Sequence, residues 1–188
     1  GYAAFFGIGA YSYAILSLMF NVPFWPCLLA GGLTAGVIGI LLGLPSIRLR
    51  GDYLAIVTLG FGEVVRFILK NESMLTGGEK GLPNESLPGM IAPPCIGSWQ
   101  LDRTIHFYYL ALILMVIVVF VIHRLNNSRI GRAWIAIRED ETAAMAMGIN
   151  TFHLKVQAFA LSAFIAGVMG VLYAARMNIV SPEAFRFE

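Results

Sequence analysis

The sequence predicts an all-α fold: a polytopic membrane helix bundle with about five transmembrane spans and one short cytoplasmic helix. Of the 188 residues, 58% are hydrophobic and only 13% are charged, whereas an ordinary soluble domain carries about 25% charged residues. Five apolar stretches approach the ~20 residues that cross about 30 Å of hydrocarbon. We therefore expect residues 1–188 to form a single domain in contact with membrane lipid. Because the chain starts at Gly1 and ends without a polar tail, we also expect it to be part of a longer protein.

The five predicted spans are separated by turn-forming or polar residues. Residues 21–23 (Asn-Val-Pro) separate the first two spans. Pro45 and the polar run 48–52 are expected to end the second, because proline is unfavourable in a helix interior. The third span is the least apolar, since it carries Glu63 and Arg66. The spans cover about residues 3–20, 24–44, 53–69, 107–122 and 156–175.

Charge asymmetry predicts which loops face the cytoplasm. The face that holds the loop 124–155 and the polar run before residue 53 carries seven cations and four acids. The opposite face, which holds the loop 71–105, carries five cations and six acids. Because cytoplasmic loops are enriched in Lys and Arg, we expect 124–155 to be cytoplasmic and 71–105 to be periplasmic. Glycines and prolines interrupt the loop 71–105, which is either a docking surface or lid, or a passive connector.

The cytoplasmic loop predicts one short helix. Residues 128–132 are turn-like, and the acids of residues 139–141 precede a stretch rich in Ala and Met, which favours a helix. Gly148 and Asn150 are expected to end it. A small apolar face on such a helix suits a groove on another protein or the lipid surface. That face consists of Ala143, Ala144 and Met147.

Two spans carry small residues at every fourth position. Small residues let membrane helices approach closely, so we expect these ridges to face protein rather than lipid. They are either fixed packing seams or seams that slide during a transport cycle. The ridge residues are Gly31, Ala35, Gly39 and Gly43 in the second span and Ser162, Ala166 and Gly170 in the fifth.

The third span combines two charges with two glycines. Glu63 and Arg66 share one helical face, and because a charge at the bilayer centre costs about 2.5–3.5 kcal/mol, they should pair or line water. The two glycines just before them weaken the helix. The segment is therefore either a broken helix that lines a substrate path or a structural ion pair beside a packing kink. The predicted path residues are Thr58, Gly60, Gly62, Glu63 and Arg66.

Several chemistries are absent from the sequence. It contains no Walker A loop for ATP, and its three histidines lack metal-ligand spacing, so we predict no metal site and no cofactor bound by this chain. No Ser-His-Asp set suggests an enzyme, and a net charge of +2 gives no reason to expect nucleic acid. Cys27 and Cys95 would both lie toward the outer side, which leaves a disulfide open.

Long motifs in the sequence resemble the permeases of bacterial branched-chain amino acid ABC importers, specifically the LivM subunit family. The resemblance covers nearly the whole chain. It is carried by residues 48–66 and 75–78, the early glycine-rich stretch 4–11 and the inner segment 131–150. It implies a multi-pass transport subunit of the bacterial inner membrane that moves leucine, isoleucine or valine by alternating access.

The same resemblance implies partners and coupling residues. Such permeases work with a LivH-type permease, two cytoplasmic ATPase subunits that bind ATP and Mg²⁺, and a periplasmic amino-acid-binding protein. The inner helix would be the coupling helix, which resembles the Glu-Ala-Ala-x-x-x-Gly loop of importers, although Thr142 stands at the Glu position. The implied coupling residues are Arg138, Glu139, Glu141, Ala143, Ala144 and Gly148.

Two alternatives stay open from the sequence. A permease of the same class for urea or short amides would differ in which binding protein and substrate stimulate ATP hydrolysis. A passive channel or a purely structural membrane subunit would purify without an ATPase partner.

Overall fold

The computed structural model describes residues 2–46, 52–72, 76–78, 81–83, 88–89, 91, 93–96, 99–100 and 104–181. Seven helices and two short strands occur within these ranges. Of the residues that carry the family resemblance, 48–51 and residue 75 lie outside these ranges. The helices are α1 (Tyr2–Phe20), α2 (Phe24–Ser46), α3 (Asp52–Asn71), α4 (Thr104–Asn126), α5 (Arg129–Glu139), α6 (Glu141–Ala146) and α7 (Thr151–Met177). The strands β1 (Cys95–Ile96) and β2 (Trp99–Gln100) pair antiparallel.

The prediction of an all-α membrane helix bundle is confirmed. Within the described residues, α1, α2, α4 and α7 are long and apolar enough to cross a membrane. The third predicted span forms the 20-residue helix α3, but the charges of Glu63, Arg66 and Lys70 keep it outside that group. The crossing of the membrane by α3 therefore stays a prediction.

The centre of the bundle is α7, which packs along both α1 and α2. The end of the bundle that is predicted to face the cytoplasm is called the inner end, and the opposite end is called the outer end. Toward the inner end, the shared core is made of small residues such as Ala35 and Ala163, with Phe5 and Ile8 beside them. Toward the outer end it contains larger side chains. Those that are fully buried include Tyr13, Phe24, Leu82, Ile91, Val171 and Val180.

The helix α4 stands largely apart from this core. Its buried residues are Phe107, Leu110 and Leu114, all in its outer half. At the outer end, Arg176 of α7 donates to the Thr104 hydroxyl at 3.1 Å and its guanidinium lies 5.7 Å from the centre of the Phe107 ring. The remaining apolar surface of α4 is exposed in this chain, as a surface in contact with lipid or with another subunit would be.

The outer loop is attached to the end of α7. The N–H of Leu82 donates to the Val180 carbonyl at 2.9 Å, and the N–H of Val180 donates back to the Leu82 carbonyl at 2.9 Å. Gly81 has φ +74°, and a Cβ there would meet the Val180 carbonyl, so glycine is required at this crossing. We call this pairing the outer bridge.

The helices α2, α4 and α7 extend beyond the predicted spans. The prediction that Pro45 ends the second span is wrong, because α2 continues through Pro45 to Ser46. The helix α7 begins five residues before the predicted start at residue 156 because Asn150 caps it, accepting from the His153 N–H at 3.2 Å. It ends at Asn178, whose φ of 55° is left-handed. The prediction that Asn150 ends the inner helix is therefore wrong: a side chain that accepts hydrogen bonds favours a helix start.

Candidate functional site

The inner loop contains two helices rather than the predicted one. The segment 128–132, predicted as a turn, is the start of α5. The Ser128 hydroxyl accepts from the Gly131 N–H at 3.3 Å and donates to the Leu125 carbonyl at 2.6 Å. A Cβ on Gly131 would meet the carbonyls of Leu125 and Asn126. This corner therefore joins α4 to α5 directly, with no flexible connector between them.

Asp140 separates α5 from α6. Its extended backbone ends α5, with its N–H bonded to the Ala136 carbonyl at 3.1 Å. Its carboxylate then accepts from the N–H groups of Thr142 and Ala143 at 2.8 and 3.0 Å. A carboxylate that caps the start of one helix cannot lie inside a continuous helix, which is why α5 and α6 are two separate helices.

Gly148 ends α6, as predicted from the sequence. Its φ is +81°, the left-handed conformation that glycine adopts without steric cost. The N–H of Gly148 donates to the Met145 carbonyl at 2.9 Å, and the N–H of Ile149 donates to the Ala144 carbonyl at 3.1 Å. A Cβ on Gly148 would meet no atom within 4 Å in the described part of the chain.

The predicted apolar face of the inner helix is divided between the core and solvent. Ala144 is 3% exposed and Met147 is 83% exposed. Ala143 is exposed, and Met145 is 47% exposed. The outward surface of α6 is therefore formed by Ala143, Met145 and Met147, while Ala144 packs inward. The prediction that Ala144 belongs to the outward face is wrong, because its side chain is buried against the rest of the chain.

Two polar contacts join α5 and α6 to α7. The Lys155 Nζ lies 2.6 Å from Glu141 Oε1, and each side chain is about one quarter exposed, at 27% and 28%. The Trp134 Nε1–H donates to the Leu154 carbonyl at 2.9 Å. By contrast, the Arg138–Glu139 pair at 3.2 Å is well exposed, and exposed ion pairs contribute little to stability. Of the predicted acids, Glu141 is thus engaged within the chain and Glu139 faces outward.

The predicted ion pair of α3 is present. Arg66 Nη2 and Nε lie 2.8 and 3.0 Å from the same oxygen of Glu63, Oε2. The helix is continuous through Gly60 and Gly62, so the predicted break is absent. Two glycines cost about 2 kcal/mol in total relative to alanine, and a helix of this length tolerates that. An open groove beside the pair is lined by Val64, Phe67, Lys70 and Asn71.

The five predicted path residues do not share one surface. Gly62 is buried and, with Arg66, lines a cavity of about 10 Å³ between α3 and α1, which is at the lower limit for one water molecule. Gly60 and Glu63 are exposed, and Thr58 is half-buried. Within the ion pair, Arg66 therefore lies beside the contact with α1, and Glu63 lies on the open face of α3.

The predicted ridge of α2 lies against α7. A Cβ on Gly31 would meet Val171, one on Gly39 would lie 2.5 Å from the Ala163 Cβ, and one on Gly43 would lie 3.3 Å from the Phe159 Cβ. Ala35 occupies the space beside Gly167. On α7, a Cβ on Gly170 would meet the Phe6 carbonyl of α1. Ala166 packs against the core cluster toward the start of α7, and Ser162 is half-buried.

Sequence reasoning missed the second ridge of α7. The α2 contacts are made by Ala163, Gly167 and Val171, one residue beyond the predicted ridge positions. The backbones of α1 and α7 also approach closely at Gly9 and Gly167, where a Cβ on Gly9 would meet the Gly167 carbonyl. The four-residue spacing from Ala163 to Val171 was the available signal. The Cys27 thiol, at the outer end of α2, is free and buried and faces the Val22 carbonyl, and the Cys95 side chain lies outside the described residues.

Comparison with known proteins identifies the family. A family described as the permease component of the branched-chain amino acid transport system matches residues 1–188. The chain belongs to this family. Membership agrees with the four described helices that are long and apolar enough to cross a membrane.

Three relatives carry the family name. The chain is 45% identical over its whole length to the high-affinity branched-chain amino acid transport system permease protein LivM of Escherichia coli, and equally to that of Salmonella typhimurium. It is 29% identical over 77% of its length to a probable branched-chain amino acid transport permease protein LivM of Methanocaldococcus jannaschii, of which it covers 40%. The chain spans 48% of the length of each of the first two proteins. No solved structure matches it.

Proposed function

We propose that this chain is the part of an inner-membrane permease subunit that joins an ABC importer for branched-chain amino acids to its ATPases. The observation that carries the proposal is the match of residues 1–188 to the permease family. The outward surface of α6 supports it: a short helix with exposed Ala and Met side chains suits a groove on another protein. ATP and Mg²⁺ would be bound by the ATPase subunits.

The proposed orientation places α5 and α6 in the cytoplasm. The cations of this side exceed its acids, as the positive-inside rule requires. A LivH-type permease would pair with this subunit within the membrane, and a periplasmic binding protein would deliver leucine, isoleucine or valine to the opposite side. The exposed apolar surface of α4 and the open face of α3 are the surfaces available for the membrane partner and for the substrate path.

The proposed path passes the open side of α3. A half-exposed ion pair is costly in contact with hydrocarbon, so the Glu63–Arg66 pair favours a polar surrounding. A Cβ added to Gly60 on the same helix would meet no atom within 4 Å in the described part of the chain. We therefore assign the substrate path to the side of α3 that carries Gly60 and Glu63.

The first experiment tests transport by the assembled system. The full-length permease is co-expressed with its neighbouring permease, ATPase and binding-protein genes, and the purified complex is placed in liposomes. We expect leucine uptake that requires both ATP and the binding protein. Uptake of urea or short amides in place of branched-chain amino acids, or ion conductance without ATPase partners, would refute the proposal.

The second experiment tests docking at α6 with a matched pair of variants. Gly148→Ala and Gly148→Leu incur the same left-handed backbone cost, about 1–2 kcal/mol, and neither side chain begins against an atom of this chain. Only leucine adds bulk toward a docked partner. We expect Gly148→Leu to lose ATP-coupled uptake while the complex still assembles, and Gly148→Ala to retain more of it. Equal uptake by the two variants would contradict the docking role.

A further inference from the structure

The short helix α6 is stabilised by contacts between the inner loop and the start of α7. Six residues form less than two helical turns, and isolated helices this short are unstable in water. The Glu141–Lys155 ion pair at 2.6 Å joins the first residue of α6 to the first turns of α7. The Trp134–Leu154 hydrogen bond at 2.9 Å holds α5 to the neighbouring residue. We call these two contacts the inner clamp.

The two helices that flank this inner arrangement differ in how they meet the bundle. From Met115 to Asn126, the inner half of α4 has no buried residue within the described ranges. The helix α7, in contrast, packs against α1 and α2 and has seven buried residues between Ala163 and Ala175. Its glycines meet backbone atoms directly, Gly167 at Gly9 and Gly170 at Phe6. Backbone contacts of this kind cannot yield as a flexible side chain can, so a displacement of α7 must also move α1 and α2.

We propose that the inner clamp makes α6 and the start of α7 move as one unit, so that a push on α6 enters the bundle through α7. Trp134, Glu141 and Lys155 are then positioning residues for coupling. This inference rests on the proposed function, because it takes the push to come from a docked ATPase. Without the clamp, α6 would be attached by the residues 147–150 and by the packing of Ala144, and a push would turn α6 about Gly148.

The test uses charge reversal in the full-length permease assembled with its partner subunits. Glu141→Lys and Lys155→Glu each leave two like charges facing one another in a partly buried place, which is unfavourable. We expect each to lower the leucine transported per ATP hydrolysed on the order of tenfold, within the usual range of coupling between sites. The double variant restores an ion pair and should recover most of the loss.

Two further variants separate the clamp from general damage. Trp134→Phe keeps an aromatic ring but removes the N–H donor, and we expect a smaller fall in the same ratio. Asn127→Ala is the control, because it removes only an exposed contact with His123 on the α4 side of the loop. The proposal would be overturned if both single charge reversals transported as much leucine per ATP as the wild type. It would also be overturned if the double variant transported as little leucine per ATP as either single variant.

A measurement on the permease alone distinguishes failure of this inference from failure of the proposed function. Spin labels at positions 145 and 157, both exposed, report the distance between α6 and α7 without any ATPase. We expect a narrow distance distribution in the parent protein, a broad one in each charge reversal and a narrow one in the double variant. Should the assembled wild-type system transport nothing, this pattern still supports the clamp, and unchanged distributions in the single variants overturn it.

Discussion

Replacing Gly39 by alanine should separate α2 from α7, whereas the same change at Gly36 should not. A Cβ on Gly39 lies 2.5 Å from the Ala163 Cβ, while carbon atoms in ordinary contact are about 3.5–4.0 Å apart. The two helices must therefore move apart by about 1 Å or more. A Cβ on Gly36 lies 3.6 Å from the nearest atom, the Ala160 carbonyl oxygen, which is ordinary contact.

The pair of variants isolates the steric effect. Both replacements gain the same helix propensity, about 1 kcal/mol, and both sites are buried on the same helix. The difference in unfolding free energy between them should therefore equal the cost of overpacking, about 1–3 kcal/mol. We would measure it by SDS titration of the purified full-length permease, following tryptophan fluorescence.

A third variant tests whether Ala163 is the cause. In Gly39→Ala/Ala163→Gly the closest remaining neighbour of the new Cβ is the Phe159 carbonyl oxygen at 3.4 Å, so the clash is removed. The double variant should be about 1–3 kcal/mol more stable than the sum of the single effects predicts. Equal stability of Gly36→Ala and Gly39→Ala, or strict additivity in the double variant, would refute this account of the seam.

Three further changes test other contacts. Asp140→Ala removes the cap of α6 and should cost that helix about 1 kcal/mol, seen as faster hydrogen exchange of its amides, whereas Asp140→Asn should exchange like the parent. Arg66→Gln leaves Glu63 unpaired, so the yield of folded protein in the membrane should fall and should recover in Glu63→Gln/Arg66→Gln. Equal yields of the parent protein and the Arg66→Gln variant would mean that the pair faces water. Gly81→Ala should break the outer bridge because its Cβ meets a carbonyl, and proteolysis of the outer loop should accelerate; unchanged proteolysis would contradict the close crossing.

Local signals predicted much of this structure. Hydropathy located the four helices that can cross a membrane, because each is apolar over a length that can span a bilayer. The four-residue spacing of Gly31, Gly39 and Gly43 selected the side of α2 that meets α7, since only small residues permit that approach. Gly148 was predicted to end α6 because the left-handed conformation favours glycine.

Contacts between distant residues could not be predicted in this way. The crossing of Gly9 with Gly167 depends on the angle between two helices, which no local pattern encodes. The inner clamp joins Glu141 to Lys155 across the turn 147–150. That turn contains the left-handed Gly148 and the Asn150 cap of α7. Asp140 was interpreted only as a favourable charge near a helix start, because a carboxylate serves the helix dipole and the cap equally well.

The outer bridge has a consequence for how this protein is made. The two backbone hydrogen bonds between Leu82 and Val180 join a loop that follows α3 to a residue that follows α7. During synthesis, Leu82 emerges long before its partner, so its peptide groups must wait, hydrated, until α7 has crossed the bilayer. Completion of the outer surface is therefore a late event in biogenesis, and a ribosome-bound chain that stops before Val180 should leave this loop open to protease.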